Sequence, residues 1–233
     1  MTIAIRKHLV SSSKAAKVTG GRKNSRKRIC IHETGNRAKG SRADNHARLQ
    51  ANGNSRQASW HWTVDDKEAV QSFTHDYQCW AAGTPQGNNE AIHIEMCVNE
   101  DGDYRKTVQN TAALVAKILK DENLTINDIV QHNFYSGKNC PQIMRSASSP
   151  VPWSSFIQMV KSNLQPTVAV TKEQILLNTT ATKEIEAKRS TLKKLISGAY
   201  KEGIFSSDHS NKVDSYTDSE LASYGLTYFL RQL

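Results

Sequence analysis

Residues 91–98 read Ala91-Ile92-His93-Ile94-Glu95-Met96-Cys97-Val98, and their alternation decides the fold class. Ile92, Ile94, Met96 and Val98 recur at every second position, with His93, Glu95 and Cys97 between them. That period is a β-strand's, and it puts a dry face on one side and an ionisable face on the other. Asp101-Gly102-Asp103 closes the strand. From Thr107 to about Glu122 the period becomes helical: Val108, Ala112, Val115, Ile118 and Leu119 form one stripe, which predicts a helix packed on the strand's apolar face. Glu95 then points away from the helix-covered core, towards a cleft.

Working outward, Arg28-Ile-Cys-Ile-His-Glu-Thr34 alternates Ile29 and Ile31 against Cys30 and His32 and predicts another strand, ending at Gly35. A short helix is expected over Asp44–Leu49. A strand is expected over Ser59–Val64, with Trp60, Trp62 and Val64 on one face and His61 and Thr63 on the other. Asp65 and Asp66 turn it into a third short strand near Ala69–Phe73, and a polar loop covers Gly83–Glu90. Ile126–Val130 reads as extended, and Trp153, Phe156 and Val160 mark a last short helix. Strands followed by a covering helix predict an α/β fold, a mixed central sheet covered by helices.

Composition changes after Leu164. Residues 1–164 form the first domain on this reading, and the Thr-rich stretch 165–182 is a linker with a strand or short helix near Ile175–Leu177. Residues 183–233 form a small helical C-terminal module. Its first helix carries Ile185, Leu192, Leu195, Ile196 and Ala199. A Ser- and Asp-rich turn follows, then a capping box at Thr217–Glu220 ahead of Leu221, Tyr224, Tyr228 and Phe229. Two such helices could dimerise or pack on the first domain.

The 233 residues are 37% hydrophobic and 23% charged, close to an ordinary globular chain. No apolar run approaches the roughly 20 residues needed to span a bilayer. Ile3-Ala4-Ile5 runs directly into Arg6, Lys7 and His8, so no apolar signal core is legible. The expectation is synthesis in a cytoplasm without a signal peptide, with release by another agent if the protein acts outside. The net charge is +9, and within residues 1–48 only Glu33 and Asp44 oppose a dense set of Lys and Arg. Such a face attracts nucleic acid, anionic lipid or anionic wall polymer, and charge alone does not choose. No fold motif for nucleic acid accompanies it. The four cysteines contain no Cys-x-x-Cys pair, so neither a zinc ribbon nor a thioredoxin-type site is supported. Cys30, Cys79 and Cys97 read as small buried hydrophobes.

His32 ends the first of these strands, and a loop further on carries His132 and then Gly137-Lys138-Asn139-Cys140-Pro141. Two His and one Cys suit zinc and leave a fourth position for water. With eight His in the chain, spacing alone does not separate this from histidines hydrogen-bonded to backbone.

Four ordered strings carry a resemblance: Ile31-His-Glu-Thr34, Ser59-Trp-His-Trp-Thr-Val-Asp-Asp66, Ile92-His-Ile-Glu-Met-Cys97 and Ser136-Gly-Lys-Asn-Cys-Pro141. Over about residues 25–160 the chain resembles the type-2 N-acetylmuramoyl-L-alanine amidases, whose fold is shared with peptidoglycan recognition proteins. Within them it is similar to phage and prophage endolysins of Bacillus-type Gram-positive hosts. The resemblance implies a zinc amidase that cuts the bond between the lactyl group of N-acetylmuramic acid and L-Ala in peptidoglycan. It implies Zn2+ on His32, His132 and Cys140, Glu95 as acid/base and Lys138 as the cation for the developing oxyanion. Some relatives use a Tyr where this chain has Trp60, which cannot transfer a proton, so the burden falls on Glu95. The alternative is a recognition protein that binds peptidoglycan without cutting it; the Cys ligand favours an enzyme. His61 is either a substrate contact or a structural hydrogen bond, and His46, His75, His93 and His209 receive no role. The resemblance further implies a wall-binding module in residues 183–233. There Tyr200, Phe205, Tyr216, Tyr224 and Tyr228 could stack on saccharides, while Tyr228 and Phe229 suit core packing better. The expected partners are peptidoglycan and anionic wall polymers, not membrane and not nucleic acid.

Overall fold

A computed structural model describes residues 3–164, 189–203, 205 and 210–216, and the chain divides into two compact units, Met1–Pro166 and Thr167–Leu233. In the first unit the strands are β1 (Ala4–Lys7), β2 (Arg28–Glu33), β3 (Trp62–Val64), β4 (Glu68–Gln71), β5 (Ala91–Met96) and β6 (Ile129–Gln131). They form one mixed sheet in the order β1-β4-β3-β5-β2-β6, parallel throughout except for the β3–β4 hairpin. The helices are α1 (Ser12–Val18), α2 (Ala43–Ala51), α3 (Pro85–Glu90), α4 (Tyr104–Asp121), α5 (His132–Ser136), α6 (Gln142–Arg145) and α7 (Trp153–Leu164).

The apolar face of the two central strands makes the core. Ile29 and Ile31 of β2 and Ile92, Ile94 and Met96 of β5 pack with Val108, Val115, Ile118 and Leu119 of α4 and Phe156 and Val160 of α7. Asp103 starts α4 by accepting from the Lys106 backbone N–H at 3.0 Å, which satisfies one of the free donors of the first turn. The opposite face of the sheet is covered in part by α2, through Ala43 and Ala47 against Val70 and Cys97. Cys30, Cys79 and Cys97 are buried and unpaired. Among the described residues no helix is long and apolar enough to cross a membrane.

The sheet departs from the sequence reading in three places. The strand expected over Ser59–Val64 shrinks to Trp62–Val64, because the Gln50 side chain rather than a neighbouring strand takes both backbone groups of Trp60. The Trp60 N–H donates to Gln50 Oε1 at 3.0 Å, and Ser59 Oγ donates to the Val18 carbonyl at 2.6 Å. Trp60 therefore leaves the face of Trp62 and Val64 and binds Thr63 Oγ1 through its indole N–H at 2.7 Å. The polar loop expected over Gly83–Glu90 contains α3, started by Thr84, whose hydroxyl accepts from the Gly87 N–H, and by Pro85 at the first turn. The edge strand β1 carries no buried residue and so no two-residue apolar period; Arg6 fastens it to Glu68 at 3.0 Å.

In the second unit, residues 189–201 are helical (α8) and Ser210–Ser215 form a 3-10 turn. Phe205 is buried with Ile196, Ala199 and Val213, Tyr216 packs at the edge of this cluster, and Tyr200 is exposed. The segment expected near Ile175–Leu177, the capping box at Thr217–Glu220, and Tyr224, Tyr228 and Phe229 lie outside the described residues.

Phe156 is fully buried in the core, on α7, which packs against α4. Phe156→Ala should cost about 3–5 kcal/mol, the range for emptying a large aromatic site, read from the urea midpoint of unfolding. A loss below about 1 kcal/mol would show that α7 is not part of the cooperative core.

Candidate metal centre

The carboxyl ends of β2, β5 and β6 meet at one edge of the sheet, where ligands collect in parallel folds. Register brings Cys30 opposite His93 and His32 opposite Glu95, while Thr63 of β3 flanks Glu95 on its other side. His132 is the first residue of α5, immediately after β6. The chain then reverses at Gly137, whose φ of +73° a side chain would resist. The Asn133 side chain donates to the Gly137 and Lys138 carbonyls at 2.8 and 3.0 Å, and the Asn133 N–H donates to the Cys140 carbonyl at 3.1 Å. This closed loop returns Cys140 to the sheet edge.

There the ligand atoms of His32, His132 and Cys140 lie within 4.8 Å of one another, and all three side chains are buried. His32 Nδ1 is 3.0 Å from His132 Nδ1. Burial, then the neighbouring His93 and His132, hold the pKa of His32 well below its ordinary value; burial, then Lys138, lower that of His132. Both rings are therefore neutral near pH 7 and keep a lone pair, as metal ligation requires. Burial and the nearby Glu95 push the Cys140 thiol up to about 12, a bias that a bound cation would reverse. Two neutral imidazoles and a thiol at this spacing fit a zinc-type ion.

Glu95 is pushed up to about 8, first by burial, against the pull of Lys138 and with the push of Glu33. Its Oε2 is buried and has no hydrogen-bond partner. Lys138 is exposed and lines both clefts that open at this edge. One, of about 650 Å³, includes Trp60, Trp80, Arg56, Glu95 and His132; the other, of about 590 Å³, includes Arg37, Asn139, Gln142, Ser146 and Ser149. They share Glu33, Thr34, Lys138 and Cys140, so an extended molecule can lie across the cluster.

His61 does not reach either cleft. It is fully buried, its Nδ1 accepts from the His93 N–H at 2.8 Å, and its Nε2 donates to the Tyr77 carbonyl at 3.0 Å. With both nitrogens held by backbone, it is a structural residue and substrate contact is withdrawn. Two residues without an assigned role in the sequence belong to the site. His93 Nδ1 stands 3.1 Å from His32 Nε2; alternation had already put His93 on the face of Glu95, which was the available signal. Glu33 accepts from the backbone N–H groups of Ile143 (2.7 Å) and Met144 (3.2 Å) at the start of α6 and from the Tyr104 hydroxyl (2.6 Å). Its own N–H faces Cys140 Sγ at 3.5 Å. No local pattern in the sequence announces that contact.

A buried His-His-Cys cluster beside a carboxyl at the floor of a cleft defines a metal-hydrolase class of site. The chain belongs to the N-acetylmuramoyl-L-alanine amidase family (Amidase_2), which matches residues 22–143. It is 38% identical over 141 residues to the N-acetylmuramoyl-L-alanine amidase CwlH of Bacillus subtilis, covering 59% of this chain and 54% of that protein. To XlyA of the same organism it is 36% identical over 130 residues, covering 55% and 42%. The chain thus spans about half the length of the curated relatives it matches. Among solved structures, a mutant endolysin from Bacillus subtilis superposes with a TM-score of 0.63 at 32% identity, over 68% of this chain and 99% of that one.

Glu33→Ala would leave two N–H groups of α6 without acceptors and free the segment that follows Cys140. Metal affinity should fall roughly 10–100-fold, as for other supports of a ligand, measured by competition with a chromogenic chelator. An unchanged affinity would show that the 137–141 loop holds Cys140 unaided.

Proposed function

We propose that this chain hydrolyses the amide bond between the lactyl group of N-acetylmuramic acid and L-Ala of peptidoglycan, with Zn2+ held by His32, His132 and Cys140, and that it acts as a phage or prophage endolysin. The observation that carries this reading is the half-buried Glu95 carboxyl, whose buried Oε2 has no hydrogen-bond partner, in the cleft that also holds His132 and Cys140 of the His-His-Cys cluster. Family membership and likeness to Bacillus amidases support the substrate.

Zinc in this position would supply a Lewis acid for the scissile carbonyl and for the attacking water. Glu95 takes the proton from the water and returns it to the leaving amine. Its lifted pKa suits both halves of that task, since a base matched to the working pH both accepts and releases a proton readily. Lys138 supplies positive charge at the cleft wall as the carbonyl oxygen becomes an anion. Trp60 lines the same cleft and has no proton to exchange, so it contributes shape and ring surface. Arg37, Arg56 and Lys138 make the clefts cationic, suited to the carboxylates of a stem peptide and to anionic wall polymers.

Glu95→Gln keeps size and removes the proton acceptor. Release of new L-Ala amino termini from purified cell walls should fall roughly 10²–10⁴-fold, while zinc content stays at about one per chain. Chelation should abolish the reaction in the unaltered protein and zinc should restore it. Wall binding without any new amino termini would instead establish a recognition protein.

Residues 1–164 are proposed as the catalytic domain, 165–182 as a linker and 183–233 as a wall-binding module, for which exposed Tyr200 is a candidate contact. A chain of residues 1–164 should hydrolyse isolated peptidoglycan and bind intact cells less well, and residues 165–233 fused to a fluorescent reporter should decorate those cells. An insoluble 1–164 chain together with an undecorated wall would show that the second unit completes the fold.

A further inference from the structure

We propose that His93 is the positioning residue of the metal centre: its Nδ1 accepts the Nε2–H of His32 and so fixes that ring in the tautomer and orientation that binds metal. This rests on the reading of His32 as a ligand. His32 has one nitrogen towards the cluster, Nδ1 at 3.0 Å from His132 Nδ1, and the other away from it. A neutral ring that offers a lone pair at Nδ1 carries its proton on Nε2. His32 is 1% exposed, so that proton needs an acceptor inside the protein. His93 Nδ1, 3.1 Å away on the neighbouring strand, is that acceptor. Metal-bound histidines ordinarily give this second proton to a carboxylate, a carbonyl or water; here an imidazole takes it.

The surroundings hold His93 in that role. Its ring is fully buried and stacked on His61 at 5.7 Å, and its backbone N–H donates to His61 Nδ1 at 2.8 Å. With Nδ1 accepting, the His93 proton sits on Nε2, which lies beside the Gly87 backbone without a well-formed hydrogen bond. A Cβ on Gly87 would come within 2.4 Å of Ala82 Cβ and 2.7 Å of the Tyr135 ring, so only glycine lets α3 approach this closely. The same segment lies against His132, whose Nε2 would be 3.8 Å from a Cβ built on Gly83. Residues 83–87 thus pack close to both His132 and His93.

Cys30, His32 and His93 also lie close enough together to hold an ion. A second ion there would require His32 to lose both ring protons and Cys30 to ionise at full burial, where its pKa is pushed well up. The hydrogen bond requires neither.

The test compares His93→Leu and His93→Phe, which remove the acceptor, with His93→Asn, whose Oδ1 takes the place of Nδ1, in the full chain. Zinc affinity is measured by chelator competition, and the cobalt-substituted protein by its visible absorption. The acceptor-less variants should bind zinc roughly 10–100-fold more weakly with altered cobalt bands, and His93→Asn should stay near the unaltered protein. If neither acceptor-less variant folds, His93→Asn decides, and a folded Asn variant with weak zinc binding overturns the proposal. Zinc bound equally by His93→Leu with an unchanged cobalt spectrum overturns the role of His93 alone. A second zinc equivalent that all His93 variants lose also overturns it, in favour of a second site. Failure of the unaltered chain to bind zinc overturns the metal centre itself.

Discussion

β2 and β5 run side by side, parallel and in register over six residues, with Ile31 opposite Ile94 and His32 opposite Glu95. Because side chains alternate across a strand, this pairing settles two things at once. It turns Ile29, Ile31, Ile92, Ile94 and Met96 towards α4 and α7, and it lines Cys30, His32, His93 and Glu95 on the other face. A slip of one residue would exchange the faces, bringing ionisable groups into the core and isoleucines to the cleft. The hydrophobic drive that buries the isoleucines therefore also positions the chemistry, with no contribution needed from the site's own interactions.

The cost falls on the site face. Histidine, glutamate and cysteine side chains are taken out of water there, and each must find a partner or change its protonation. His61 gives its proton to a backbone carbonyl, His32 to a neighbouring ring, and Glu33 shares its carboxylate among three donors. Glu95 Oε2 has no partner and its pKa is lifted. His93 Nε2 and Thr34 Oγ1 also lack a partner, but of these groups the carboxyl is the one the proposed reaction employs. Perturbed carboxyls gather at functional sites for this reason: the desolvation that destabilises the charge also matches its proton affinity to catalysis.

Support for the ligands comes from outside the sheet. The α3 segment lies against His132 and His93, and the start of α6 holds Glu33, next to Cys140, through two backbone N–H groups. Both segments are short, and α6 lines one of the clefts. Substrate entry and ligand support are therefore neighbours in space, and a molecule lying across the cluster touches Glu33 and Cys140 directly.

Periodicity made β2, β5 and α4 legible in the sequence, since each buries one face and repeats its apolar residues at its own spacing. The candidate ligands were legible too, but through resemblance, because nothing in the spacing of His32, His132 and Cys140 sets them apart from the other histidines and cysteines. The helix α3 was not legible in the sequence, because its Thr-Pro start lies in a polar stretch without an apolar stripe. What no local pattern carried was β1, an edge strand without a buried face, the turning of Trp60 away from Trp62, and the parts played by His61, His93 and Glu33. A sequence period states which residues share a face of one element. It does not state which atoms of different elements meet, and contacts such as His32 with His93 or Glu33 with Ile143 exist only once strand order and register bring residues 61 and 110 positions apart within about 3 Å.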